Sequence, residues 1–233
     1  MNGSAGRYLL RCQAIENTER VHAIFEAAFR EHGLPEAIRT DNGAPFASSA
    51  LGGLSRLAVW WIKLGIAHER IQAGHPEQNG RHERMHRTLK QDLRPAEDWR
   101  AQQRELDRFR QDFNHLRPHE ALDMQTPAAV YQPSLRPYPA RRPEIEYPDT
   151  MEVRTIKSHD HFRWKKKDIF LTEVLWGEPI GLLPINKEMR MIYFAHPPLA
   201  RLHDATGTLF PIKQRDKIKN LPNKEKLSGM CPV

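Results

Sequence analysis

Asp41 and Glu83 are two carboxylates whose sequence settings suit phosphoryl-transfer chemistry. Asp41 lies in Thr40-Asp41-Asn42-Gly43, directly after an extended run from Glu36 to Thr40, so a strand end would present it. Glu83 lies in His75-Pro76-Glu77-Gln78-Asn79-Gly80-Arg81-His82-Glu83-Arg84, a loop opening into a basic helix. Acids brought together from a strand end and a helix can share a divalent metal. In two-metal phosphoryl transfer, ions about 3.5–4 Å apart clamp the attacking and leaving oxygens.

Each acid also has a plainer reading. Asp-Asn-Gly is strong turn chemistry, because aspartate bonds its own backbone and glycine accepts left-handed angles. Glu83 sits within His82-Glu83-Arg84-Met85-His86, the HExxH pattern of zinc proteases, which would put both histidines on one helical face with the glutamate as base. Arg81, Arg84, Arg87 and Lys90 surround that motif with positive charge, which opposes binding a dication. The longer zinc motif wants glycine where Leu89 stands and histidine where Asp92 stands; Glu105 is an alternative distant ligand. Helical spacing offers a second account: Asn79, Glu83, Arg87 and Lys90 fall on one stripe, an acid flanked by an amide and two cations. Such a stripe suits a metal-holding acid beside a phosphate backbone.

Several elements must position these residues. Tyr8 to Ile15 alternates like a strand, and Asn17 or Thr18 can cap a helix through Val21, Ile24, Phe25 and Phe29 that Gly33 and Pro35 end. A strand at Ala37 to Thr40 follows, then a small-residue loop to Gly53. A buried helix spans Leu54 to Leu64, closed by Gly65, and a short strand spans Ile66 to Ile71. Residues 78–93 read as helical, and Asp98 starts another helix through Trp99, Leu106, Phe109 and Phe113. The division expected is 1–132 as a catalytic core with its helices, 133–149 as a proline-rich linker, 150–212 as a small β-barrel and 213–233 as a flexible basic tail. Five prolines between 133 and 148 keep the linker extended. Short, evenly spaced strand-like runs from Met151 to His203 carry the barrel expectation.

With 233 residues, 39% hydrophobic and 28% charged, the chain can bury a core and has the composition of a globular protein. No apolar run approaches the roughly 20 residues a bilayer span needs. The first residues lack a signal-peptide layout, so a cytoplasmic location and no membrane partner are expected. Cys12 and Cys231 form no zinc or disulfide pattern. A net charge of +7 favours a polyanionic partner such as DNA.

Thr40-Asp41-Asn42-Gly43 and then Asn79-Gly80-Arg81-His82-Glu83-Arg84-Met85-His86-Arg87-Thr88-Leu89-Lys90 resemble the integrase core of DDE transposases and retroviral integrases. Asn114, Arg117-Pro118-His119, Leu122, Thr126-Pro127 and Tyr131 resemble the end of the catalytic region in bacterial insertion-sequence transposases, most like the IS481 group. The resemblance extends over about residues 6 to 205. It implies an α/β, RNase H-like core and a small carboxy-terminal SH3-like β-barrel. It makes Asp41 the second acid and Glu83 the third of a triad holding Mg2+ or Mn2+, with Asn79, Arg87 and Lys90 on DNA. Family members act as multimers on paired DNA ends, so a homo-oligomer is the expectation it carries.

The resemblance also implies a gap. The family's first acid lies on its first strand, and no Asp or Glu precedes Glu16 here. The expected core therefore lacks its first two strands, and the family's amino-terminal helix-turn-helix is absent too. A site with two acids of three would bind metal weakly and turn over little, and a sheet without its central strand would be marginally stable. A truncated transposase is the expectation, with a non-catalytic DNA-binding remnant as the alternative and the zinc protease as a third reading. Lys165, Lys166 and Lys167, near Lys157, Arg163 and Trp164, place positive charge on an expected hairpin of the barrel. There they would grip phosphates without reading sequence, while Trp164 goes to the core.

Overall fold

The computed structural model describes residues 18–72, 74–75, 80–157 and 160–212. Its elements run α1 (Thr18–His32), β1 (Ala37–Thr40), α2 (Arg56–Lys63), β2 (Ala67–Arg70), α3 (Gly80–Asp92), α4 (Trp99–Gln111) and α5 (Pro127–Val130). Seven strands follow: β3 (Glu152–Thr155), β4 (His161–Trp164), β5 (Lys167–Phe170), β6 (Pro179–Pro184), β7 (Met189–Tyr193), β8 (Pro198–His203) and β9 (Leu209–Pro211). The expected strand at Tyr8 to Ile15 and the tail from 213 lie outside the described residues. No helix among the described residues is long and apolar enough to cross a membrane.

The chain divides into two compact units: Met1–Pro35 with Ile71–Tyr138, and Glu36–Arg70 with Pro139–Val233. In the first unit, α1 ends at Gly33, whose φ of +78° lets its N–H reach the Phe29 carbonyl at 2.9 Å. A side chain on Gly33 would collide with the Ser134 and Arg136 carbonyls, at 2.8 and 2.9 Å from a Cβ. Those residues belong to the proline-rich segment, which clamps here: Leu34 N–H donates to Arg136 O at 2.7 Å, and Ser134 Oγ donates to Leu34 O at 2.6 Å. Phe29 stacks on Tyr138 with ring centres 6.4 Å apart. Further along, Asp98 caps α4 by accepting the Ala101 N–H at 2.7 Å. Helices α3 and α4 share an apolar cluster of Met85, Leu106, Phe109 and Phe113, with Leu89 and Leu93 against it.

The second unit holds a parallel pair and an antiparallel sheet. Strands β1 and β2 run parallel, with Ala37 opposite Ala67 and Thr40 opposite Arg70, and α2 forms the crossover between them. Ser55 caps α2, accepting the Ala58 N–H at 3.1 Å. Leu57 through Ile62 are all buried, so this helix needs apolar cover on more than one side. The carboxy-terminal strands supply part of it. Leu54, Ala58, Val59 and Ile62 join Phe162, Leu175, Ile180, Leu182, Ile192 and Leu199 in one cluster.

That sheet has the order β3-β6-β7-β8-β9, antiparallel throughout, with β4 and β5 as a separate hairpin. Strand β9 is an element that sequence reading passed over, since Leu209–Pro211 is short and ends in proline. Tyr147 anchors the end of the proline-rich segment. Its hydroxyl donates to Pro179 O at 2.9 Å and accepts the Ala195 N–H at 3.0 Å, and burial pushes its pKa well above the usual tyrosine value.

Candidate metal and nucleic-acid site

Asp41 follows β1 directly and is exposed. Its Oδ1 accepts the Gly43 N–H at 3.0 Å, so the turn chemistry read from Asp-Asn-Gly is present and engages one carboxylate oxygen. The strand end behind it is braced. Thr40 is buried, and its Oγ1 donates to Asp41 O at 2.9 Å while lying 2.9 Å from His68 Nε2. A hydroxyl has one proton, so with that proton on Asp41 O the imidazole Nε2–H is the donor to Thr40. His68 meets the fully buried Trp61 edge-on at 5.3 Å, and Phe46 stacks on Trp61 at 6.1 Å. Backbone bonds of 3.0 Å from Phe46 and Ala47 to the Gly43 carbonyl tighten the loop. The α2 core thereby fixes the turn that presents Asp41.

Glu83 lies in the first turn of α3 and is exposed. Met85, only 3% exposed, pins the opposite face of the helix into the α3–α4 cluster. Glu83, Arg87 and Lys90 all point outward, and among the described residues none makes an ion pair. Asn79, the fourth member of the stripe, is outside the described residues, as are the side chains of Arg81 and His82. Asp41 belongs to the second compact unit and Glu83 to the first. Among the described residues no group of three or more His, Cys, Asp or Glu gathers as a metal cluster. Both carboxylates are nevertheless exposed hard oxygen donors that no lysine or arginine among the described residues neutralises, which is donor chemistry that Mg2+ or Mn2+ takes.

The lysine hairpin is present, and two of its three lysines find partners within the second unit. Strands β4 and β5 flank a two-residue turn with Lys165 at φ 41° and Lys166 at φ 70°, the positive angles of a type I′ turn. Lys165 Nζ pairs with Asp204, and Lys167 Nζ donates to the Ala205 and Thr206 carbonyls at 3.1 and 2.8 Å. Two of the three ammonium groups thus hold the β8–β9 turn, and Lys166 is left facing solvent. Asp204 also accepts from Arg190 Nε at 2.7 Å, and the Lys165 hydrogen bond, followed by that from Arg190, holds its carboxyl below the usual value. Trp164 is core, 2% exposed, with the Arg190 guanidinium 4.8 Å from its ring centre.

The residues after α4 form a clasp whose role the sequence alone did not disclose. Asn114 is buried, Arg117 pairs with Asp92 at the end of α3 and lies over Phe109 at 5.5 Å. His119 packs on Phe113 at 4.6 Å and pairs through its backbone with Gln125. This motif ties the helix bearing Glu83 to the helix it packs on.

Comparison with known proteins adds a second kind of observation. A model of the family described as Integrase core domain matches residues 64–127, a stretch that includes Glu83 and the clasp. Over residues 64–127 the chain matches the integrase-core family. The Insertion element IS407 uncharacterized 31.7 kDa protein of Burkholderia multivorans is 35% identical over 107 residues, covering 44% of this chain and 36% of that protein. The Gag-Pol polyprotein of baboon endogenous virus is 37% identical over 83 residues, covering 33% of this chain and 4% of the polyprotein. Among solved structures, a simian T-cell lymphotropic virus intasome in complex with a PP2A regulatory subunit aligns at a TM-score of 0.41 and 18% identity, over 87% of this chain and 67% of that one. The chain spans little more than a third of the IS407 protein and a small fraction of the viral polyprotein. The integrase-core match stops short of Asp41, which stands on its own motif and on the β1–α2–β2 geometry.

Proposed function

We propose that this chain carries two of the metal-binding acids of a DNA transposase or integrase, within an RNase H-like core. The observation that supports this most is the placement of Asp41 at the carboxy-terminal end of a parallel β-α-β unit, the edge where open α/β sheets present their ligand-binding groups. Glu83, inside the integrase-core match, supplies the second carboxylate from α3. A bound Mg2+ or Mn2+ would lower the pKa of an attacking water and neutralise charge on the transferred phosphate. Asp41 and Glu83 would each offer a carboxylate to the cation, and Asn79, Arg87 and Lys90 would meet the DNA backbone. Lys166 adds a contact from the hairpin, while Lys165 and Lys167 act mainly by bracing the hairpin. The antiparallel sheet and hairpin of the second unit fill the place of the small carboxy-terminal barrel, and the protein works as a homo-oligomer on paired DNA ends.

Mn2+ binding followed by electron paramagnetic resonance tests the pair. Asp41→Asn and Glu83→Gln should each weaken Mn2+ binding at least tenfold, with circular dichroism unchanged. Retention of the parent affinity by both variants would refute the assignment.

A further inference from the structure

Arg70 closes β2, and the parallel register sets it opposite Thr40, the residue directly before Asp41. It therefore stands at the same carboxy-terminal edge of the β1–β2 pair. Its side chain lies over the Gly52–Gly53 turn. A Cβ on Gly53 would come 2.2 Å from Arg70 Nη1, and both glycines adopt positive φ, +72° and +68°. The two glycines leave the space that the guanidinium fills. Among the described residues its hydrogen-bond partner is the Gly52 carbonyl, 3.5 Å from Nη2, at the outer limit for such a bond. The neighbouring acid is already taken: Glu69 pairs with Arg39 at 2.8 Å. No carboxylate among the described residues lies within ion-pair distance of Arg70.

A guanidinium cannot shed its proton under physiological conditions, so partial burial without a counterion is unfavourable. That burial pulls the pKa of Arg70 down from its ordinary value. An anion from outside the chain would relieve the imbalance. The planar fork of arginine matches two oxygens of a phosphate, with shorter and stronger bonds than a neutral donor makes. A residue that served only to pack the glycine turn would gain nothing from its charge.

We propose that Arg70, seated on the Gly52–Gly53 turn, is a phosphate-positioning residue that holds a phosphodiester of bound DNA beside Asp41. It makes and breaks no covalent bond; it fixes the phosphate against the strand edge where Asp41 is presented. This rests on the DNA-acting reading above.

Two readouts on the full chain test it. In the first, the Arg70 Nε–Hε resonance, assigned by its loss in Arg70→Lys, is followed while a DNA duplex or dimethyl phosphate is added. In the second, duplex affinity is measured against salt for the parent chain, Arg70→Gln, Arg70→Lys and Arg87→Gln. Each phosphate contact contributes about 0.9 to the slope of log K against log salt, so Arg70→Gln should lower it by about one contact. Arg70→Lys should restore the slope while leaving affinity reduced, because an ammonium keeps the charge and loses the fork. A moving Arg70 resonance with that slope change supports the seat. A still resonance, or an unchanged slope in folded Arg70→Gln, overturns it. Should Arg70→Gln fail to fold, the resonance of the parent chain decides alone. A slope lowered by Arg87→Gln beside a still Arg70 resonance would sink the seat and keep the DNA reading. A resonance moved by dimethyl phosphate in a chain that binds no duplex would keep the seat and sink the DNA reading.

Discussion

Lys63 and Glu178 give the sharpest test of how the segment bearing Asp41 is held. Lys63 ends α2, and its Nζ donates to both Glu178 oxygens, at 2.7 and 2.8 Å. The two side chains are 19% and 20% exposed, so about four-fifths of each is removed from water. Breaking a fully buried pair by removing one partner costs about 3–5 kcal/mol, because the other charge is left without compensation. The residual exposure here lowers that to roughly 2–4 kcal/mol for Lys63→Met, which strands a carboxylate. Glu178→Met should cost less, about 1–2 kcal/mol, since lysine can swing its ammonium to water along a flexible stem. Replacing both partners should return stability to within about 1 kcal/mol of the parent, because two methionines bury apolar area and leave no charge behind. Urea unfolding of the four proteins closes the double-mutant cycle, and the coupling should be about 3–6 kcal/mol, the sum of the two single costs. Hydrogen exchange adds the spatial readout: Lys63→Met should raise the exchange of α2 and β6 amides together. Additive single effects below about 0.5 kcal/mol, or exchange confined to one of the two elements, would refute the packing of α2 on the carboxy-terminal sheet.

Two further outcomes follow from the same unit. Asp204 is held below the usual carboxylate pKa by Lys165 and Arg190, so its contribution is present above the unfolded value of about 3.9 and is lost as pH falls through the folded value. Asp204→Asn should therefore be less stable than the parent at pH 7 in urea unfolding, with the gap closing below about pH 4; a gap constant from pH 7 to 3 would contradict the pairing. Gly181→Ala would place a Cβ 2.5 Å from Tyr147 Cδ1 and 2.8 Å from Met151 Sδ, so it should cost about 1–3 kcal/mol in the same assay, and an unchanged urea midpoint would show that Tyr147 is not seated there.

Local chemistry made much of the fold legible. Strand β1 and α2 stand where the alternation and the apolar run put them, and Asp98 caps α4 because its side chain competes for the first free N–H groups wherever it precedes a helix. The lysine hairpin was visible as a hairpin, since two strand-like runs flank the three lysines. The partners of Lys165 and Lys167 were not, because Asp204 to Thr206 lie almost forty residues away in the chain. Arg70 likewise reads as an ordinary end-of-strand arginine. That no acid among the described residues pairs with it became apparent only once the register gave Glu69 to Arg39 and the Gly52–Gly53 turn came under the guanidinium.

The amino-acid order by itself determined the short-range elements, the Asp41 turn, the outward stripe of Glu83, Arg87 and Lys90, and the kinship of residues 64–127 with integrase cores. These depend on interactions within a few residues, where backbone preference and helical period act without knowledge of the rest of the chain. Only the tertiary structure decided that α2 is buried with the carboxy-terminal strands, that Glu178 meets Lys63, and that the Arg117 motif closes on Asp92. An apolar face specifies that it must be covered, and the hydrophobic effect that covers it is non-directional, so the identity of the cover emerges only when the whole chain packs.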